Sequence, residues 1–148
     1  MKHYIDFSLQ TLKNAGFKIT NQRQMVVELL AKTDKALSPY EMRGILRRQR
    51  IKADVVTIYR ILETLEKLSL VHKVLAVNGY VRCNTEEFGK EICHHYLLCK
   101  NCHNIDEVEG EDLTGLESKI QKEKKFKIDS HYLEFTGLCN NCLNKQKQ

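Results

Sequence analysis

Two C-x-x-C pairs, Cys99-Lys100-Asn101-Cys102 and Cys139-Asn140-Asn141-Cys142, constrain this chain more than any other feature. Each presents two thiolates at one turn, and two such turns complete the tetrahedral sulfur site that zinc favours, with no open position left for catalysis. The intervening residues, 103–138, are a stretch of 36, too long for a compact zinc-ribbon loop. They have room for a strand, a helix near Leu113–Lys124 and a returning strand, so the metal staples distant parts of one domain. A thiol redox protein is the competing interpretation, but it needs a thioredoxin-like βαβ setting and usually a single C-x-x-C. A zinc deaminase would need H-x-E with P-C-x-x-C, and the one proline is Pro39.

The remaining composition divides at the same place as the cysteines. Residues 1–82 hold 15 Lys and Arg against 7 Asp and Glu, a balance of +8, whereas residues 83–148 hold 9 against 12, a balance of −3. All six cysteines, Cys83 and Cys93 included, fall in the second part. The boundary is therefore expected at residue 82, with a basic nucleic-acid reader over 1–82 and a metal-binding domain over 83–148. No apolar run approaches the ~20 residues that cross a bilayer, and no signal-peptide core follows Met1, so a soluble cytoplasmic protein without a membrane partner is expected. Reducing conditions there turn cysteine toward metal binding.

Helical spacing in the basic part runs through Phe7, Leu9 and Leu12, then Met25, Val26, Leu29 and Leu30, with Thr20 or Asn21 as the second cap. Ser38-Pro39-Tyr40-Glu41 combines a capping box with proline at the first helical position, which predicts a third helix to about Arg50. A fourth, from near Asp54, puts Ile58, Ile61, Leu62, Leu65 and Leu68 on one stripe and leaves Thr57, Tyr59, Arg60 and Glu63 on other faces. Two β-rich runs around Asn78-Gly79 then predict a hairpin with a type I′ turn. Helices followed by a hairpin are the order of a winged helix-turn-helix, with residues 54–68 in the DNA major groove. Thr57, Tyr59 and Arg60 are the candidate DNA contacts on that helix.

With Asn78-Gly79 as the turn, Val74 lies across from Cys83 and His72 across from Thr85. His72 and Cys83 are then diagonal neighbours on one face and can form half of a metal site. Farther on, Cys93-His94-His95-Tyr96-Leu97-Leu98-Cys99 alternates as a strand, His94 and Tyr96 facing one way, Cys93, His95 and Cys99 the other. The two histidines therefore serve different sites unless a bulge intervenes. Glu107 on the next strand and His131 beyond it add donors.

Taken together, Ile19-Thr20-Asn21-Gln22-Arg23, Val56-Thr57-Ile58-Tyr59-Arg60, His94-His95-Tyr96-Leu97-Leu98-Cys99-Lys100-Asn101-Cys102 and His131-Tyr132-Leu133-Glu134-Phe135-Thr136-Gly137-Leu138-Cys139 resemble the ferric uptake regulator family over nearly the whole chain. Val71-His72-Lys73-Val74 and Asn78-Gly79-Tyr80-Val81-Arg82-Cys83 look most like its zinc-uptake branch. The resemblance implies an α+β fold: an N-terminal winged helix-turn-helix domain, then a C-terminal α/β dimerisation domain stapled by structural zinc on Cys99, Cys102, Cys139 and Cys142. It further implies a regulatory metal on His72, Cys83, His94 or His95, and Glu107, with DNA contact by Tyr59, Arg60 and, as a further candidate, Arg23. An additional site would join His95 and His131 to Glu111 or Asp112. Iron- and peroxide-sensing branches commonly carry a histidine just before the third helix, where this chain has Leu37-Ser38, and another where it has Tyr96. Thiolate with imidazole at Cys83 also favours zinc over ferrous iron. The expectation is a non-enzymatic, zinc-responsive repressor of zinc-uptake genes, binding an inverted-repeat operator in double-stranded DNA as a homodimer. An iron-responsive or peroxide-sensing repressor on the same scaffold is the alternative.

Overall fold

The structure, a computed structural model, describes residues 1–83, 95–108, 113–129 and 131–146. Helix α1 (Lys2–Asn14) buries Tyr4, Ser8 and Leu12, one residue per turn along one face. It stops where Gly16 takes φ 81° and the Phe17 N–H returns to the Leu12 carbonyl at 2.9 Å, a turn that needs the left-handed conformation glycine allows. The Thr20 side chain caps α2 (Asn21–Ala31) by accepting the Arg23 N–H at 3.3 Å. The expected capping box opens α3 (Pro39–Arg48): the Ser38 N–H meets Glu41 at 2.7 Å and the Glu41 N–H meets the Ser38 hydroxyl at 3.3 Å. This helix ends at Arg48, short of the expected Arg50, because Arg50 turns to φ 61° and the Ile51 N–H closes back on Leu46 at 3.0 Å.

Asp54 caps α4 (Val55–Lys67), accepting the Thr57 N–H at 2.7 Å, and Ile58, Ile61, Leu62 and Leu65 are buried as the stripe predicts. Each contributes about 1.5–3 kcal/mol against exposure. With Tyr4, Leu12, Val26, Val27, Leu30, Met42, Leu46, Leu70, Val71 and Tyr80 they make the first core. Helices α3 and α4 are the two helices of the helix-turn-helix, and the hairpin β1 (Val71–Val74) and β2 (Gly79–Arg82) is the wing.

The hairpin turn differs from the expected one. Residues Val71, His72, Lys73 and Val74 pair with Arg82, Val81, Tyr80 and Gly79, so the connection is Leu75–Asn78, a single 3₁₀ turn closed by Asn78 at φ 47°. Gly79 belongs to the strand rather than the turn. A Cβ there would lie 3.0 Å from Ala36 Cβ and 3.3 Å from the Ala36 and Leu37 carbonyl carbons, because the α2–α3 connector bridges Leu37 to Tyr80 directly over it. The glycine answers a close backbone approach, which its neighbour Asn78 disguises as turn chemistry. His72 accordingly faces Val81 instead of Thr85, which lies outside the described residues. The partners slip by four residues, an even number, so every side chain keeps its face. Val71 and Tyr80 close the helical core, while His72, Val74, Val81 and, by extension of the register, Cys83 share the opposite face.

That opposite face packs on a three-stranded sheet in the order β4-β3-β5, with β3 (His95–Cys99) antiparallel to β4 (Ile105–Val108) and parallel to β5 (Leu133–Gly137). The second core, Val74 and Val81 with Tyr96, Leu98 and Ile105, thus spans the expected boundary at residue 82. The connector reinforces this junction, since Lys35 bridges Asn104 and the Ile105 N–H donates to the Asp34 carbonyl at 3.3 Å. Helix α5 (Thr114–Lys124) buries none of its residues, and α6 (Asn140–Gln146) carries Cys142. Among the described residues no helix is long and apolar enough to cross a membrane.

Candidate metal centres and DNA-reading face

The two C-x-x-C turns meet. The Sγ atoms of Cys99, Cys102, Cys139 and Cys142 all lie within 4.8 Å of one another, with Cys102 and Cys139 3.7 Å apart. Thiolates on a tetrahedral zinc at about 2.3 Å stand about 3.8 Å apart, so the sulfurs are already near coordinating positions. Local backbone builds the cage. The His103 N–H returns to Cys99 O at 2.9 Å with His103 at φ 58°, and the Cys142 N–H returns to Cys139 O at 3.0 Å at the start of α6. The Lys100 N–H joins the knuckles by donating to Gly137 O at 2.8 Å. Backbone N–H groups of Cys102 and Cys139, the latter 3.4 Å from the sulfur, draw the Cys99 thiol down to about 5. Asn101 lowers Cys142 through a side-chain hydrogen bond, but thiol contacts with Cys139, Cys99 and Cys102 together with burial outweigh it and push that thiol up to about 11. The donor set and its spacing fit a closed structural zinc site.

A second constellation lies between wing and sheet. Tyr96 on β3 is flanked in register by Glu107 on β4 and Glu134 on β5, so the three stand in one row on the wing-facing side. The His72 ring is 5.8 Å from the Tyr96 ring. Burial, then the charges of Glu107, Cys83 and Glu134, hold the Tyr96 hydroxyl above its ordinary pKa. Cys83 is buried at 3% exposure, its N–H donating to Leu70 O at 3.0 Å, and the Tyr4 hydroxyl of α1 donates to the same carbonyl at 3.0 Å. His72 thus stands beside Tyr96, Glu107 is its register partner and Cys83 shares the face of His72, while among the described residues only the four C-x-x-C sulfurs converge closely enough to hold an ion. A thiol, an imidazole and a carboxylate are donors that suit zinc.

His95 goes elsewhere. Strand alternation turns it away from Tyr96, and its Nε2 lies 3.4 Å from Nε2 of His131. Two imidazole nitrogens on one zinc sit about 3.3 Å apart, and Glu117 on α5 orients His131 through Nδ1 at 2.6 Å, the usual task of a carboxylate behind a metal-bound histidine. His95 is 1% exposed. The pair offers two candidate donors among the described residues; His94, Glu111, Asp112 and Cys93 lie outside them. Sequence spacing missed Glu117, which sits on a helix whose docking no pattern reveals. It also missed Tyr96, whose centrality follows only from the sheet register.

On the helix-turn-helix, Arg60 is exposed and Thr57 and Tyr59 are half-buried on α4. Val56, 60% exposed one turn ahead of Tyr59 and Arg60, adds an apolar group suited to a thymine methyl. Arg23 is held at the start of α2 by the Lys18 carbonyl, with its guanidinium carbon 5.4 Å from the centre of the Phe17 ring.

A model of the ferric uptake regulator family matches residues 14–136. The ferric uptake regulation protein of Bacillus subtilis (strain 168) is 31% identical over 149 residues, covering 100% of both chains. The solved zinc uptake regulator complexed with zinc and DNA superposes with TM-score 0.89 at 24% identity, over 99% of this chain and 97% of that one, a likeness of fold. Holo XcZur is 26% identical with TM-score 0.81, over 97% of this chain and 99% of that one, whereas its apo form reaches 0.52 over 96% and 97%.

Proposed function

The chain belongs to the ferric uptake regulator family, and on that premise we propose that it is a zinc-responsive repressor of zinc-uptake genes. It is a metal-responsive DNA-binding regulator and not an enzyme. The choice of zinc rests on one observation, the buried Cys83 thiol on the same wing face as His72, whose ring lies beside Tyr96, the register partner of Glu107. Zinc bound there supplies a link between donors of the wing and donors of the sheet, fixing their relative orientation. His94 completes the regulatory set in this proposal, His95 and His131 belong to an additional site, and the four C-x-x-C cysteines hold structural zinc.

The remaining residues convert that orientation into DNA binding. Tyr59, Arg60 and Thr57 enter the major groove, and Arg23 meets the phosphates. Two copies of the chain present two such helices to an inverted-repeat operator, at a spacing set by the angle between wing and sheet. The dimer forms through the sheet side away from the wing, where Leu97 and Phe135, paired in register, stay 42% and 52% exposed. The better match to the holo than to the apo form of XcZur supports a metal-loaded arrangement of the two halves in this structure. The protein acts in the cytoplasm.

The B. subtilis relative's name favours a second reading, an iron-responsive repressor. Stripped protein reloaded with one divalent metal at a time decides between them. The proposal requires zinc to restore operator binding at free concentrations where ferrous iron does not. It also requires Cys83→Ser to lose that response while keeping the metal held by the four C-x-x-C cysteines. A Cys83→Ser variant with parental zinc dependence removes the assignment.

A further inference from the structure

Glu134 is absorbed by neither the metal centres nor the DNA face, yet it makes a two-point polar contact between wing and sheet. One oxygen of its carboxylate accepts the Leu75 N–H at 2.6 Å and the other the Ala76 N–H at 2.9 Å. These are the first N–H groups of the 3₁₀ turn that closes the wing, which have no partner within the turn itself. A carboxylate spanning both is a charge-assisted, two-point contact, stronger than a pair of neutral hydrogen bonds. Glu134 also stands in the row Glu107–Tyr96–Glu134, so the same sheet side meets the wing at two separate places. At one place the His72 ring lies 5.8 Å from the Tyr96 ring; at the other Glu134 holds the wing's turn.

We propose that Glu134 is a positioning residue of the regulator: it docks the wing turn on the metal-binding sheet, so that metal-site geometry and the orientation of the DNA-reading domain are set together. The inference rests on the metal-responsive reading above. With the wing held at its turn, the His72 and Cys83 donors are presented to Glu107 in one orientation. With the turn released, the hairpin keeps its strand pairing but gains freedom to tilt about the Val74 and Val81 contact.

Glu134→Gln in the full-length, zinc-loaded protein tests this, because it keeps the size and one acceptor but removes the charge and turns an NH₂ toward one of the two N–H groups. Amide exchange at Leu75 and Ala76 should accelerate on the order of tenfold, with the β2 amides unchanged as a check on folding. Operator affinity should weaken on the order of tenfold and the chelator-labile zinc should also be held more weakly, while in parent and variant alike the factor by which zinc tightens operator binding equals the factor by which operator tightens zinc binding. Zinc on the four C-x-x-C cysteines should be retained. Unchanged exchange at both amides overturns the docking contact. Faster exchange with parental operator and zinc affinities overturns the coupling. A parent whose operator binding ignores metal sinks the function reading itself, whereas a metal-responsive parent indistinguishable from Glu134→Gln sinks only the role of Glu134.

Discussion

Replacing Cys102 with serine should weaken the tightest metal site and loosen the half of the protein built around it. Four sulfurs within 4.8 Å, one pair at 3.7 Å, need little rearrangement to surround an ion, so most of the binding free energy is available to the fold. Structural zinc in small domains is worth about 10–16 kcal/mol. Shared among four thiolates, that is about 2.5–4 kcal/mol per ligand, or about two to three orders of magnitude in zinc affinity. The consequence for folding is large because the sheet has little else. Its buried apolar residues Tyr96, Leu98 and Ile105 are shared with the wing, and α5 buries none. Competition against a chromophoric chelator measures the affinity, and calorimetry of the full-length protein shows whether the second half melts earlier than the helical core. A Cys102→Ser protein that holds its tight zinc within a few-fold of the parent, and melts as the parent does, would refute the assignment of these sulfurs to one cage.

Three further perturbations probe other levels of the structure. Gly79→Ala should cost about 1–3 kcal/mol in urea unfolding, since the new Cβ meets Ala36 and the connector backbone at 3.0–3.3 Å and the bridge to Leu37 must give; a variant as stable as the parent would remove close approach as the reason for glycine there. The Thr57 backbone N–H, chiefly, holds the Asp54 carboxyl below its ordinary 3.8. Its stabilisation of α4 is therefore full above that value and lost as pH falls through the lowered one, and Asp54→Asn should remove this acid-dependent step from the unfolding profile. Arg60→Ala should leave stability within about 0.5 kcal/mol, because the side chain is exposed, while weakening operator binding. A drop of about one in the salt-dependence slope would identify a phosphate contact, and relaxed preference at one base pair a base contact.

Much of the fold was legible locally. Caps and proline are short-range chemistry, so Thr20, the Ser38–Glu41 box and Asp54 start their helices where the sequence says. The buried stripe of α4 follows from period 3.6 alone. The C-x-x-C pairs, too, announce their meeting, because few other uses exist for four such thiols.

What the sequence by itself determined, then, is the type of the first four helices and of the strands, the capped starts of α2, α3 and α4, and the buried stripe of α4, since those depend on neighbours within a few residues. It foresees neither α6 nor the 3₁₀ turn of the wing. Tertiary structure decided which elements meet. The Asn78-Gly79 pair reads as a two-residue turn, but the glycine is spent on the passing connector at Ala36, a contact from more than forty residues away that no local pattern encodes. The slipped register nonetheless keeps His72 and Cys83 on one face, because strand parity survives an even shift. His95 is an equal candidate with His94 until β5 and α5 bring His131 and Glu117 to its side of the sheet. The row Glu107–Tyr96–Glu134 exists only once three strands are in register. Each such assignment depends on long-range pairing, whose energy comes from burying one shared face, and that face is defined only when both halves of the chain are present.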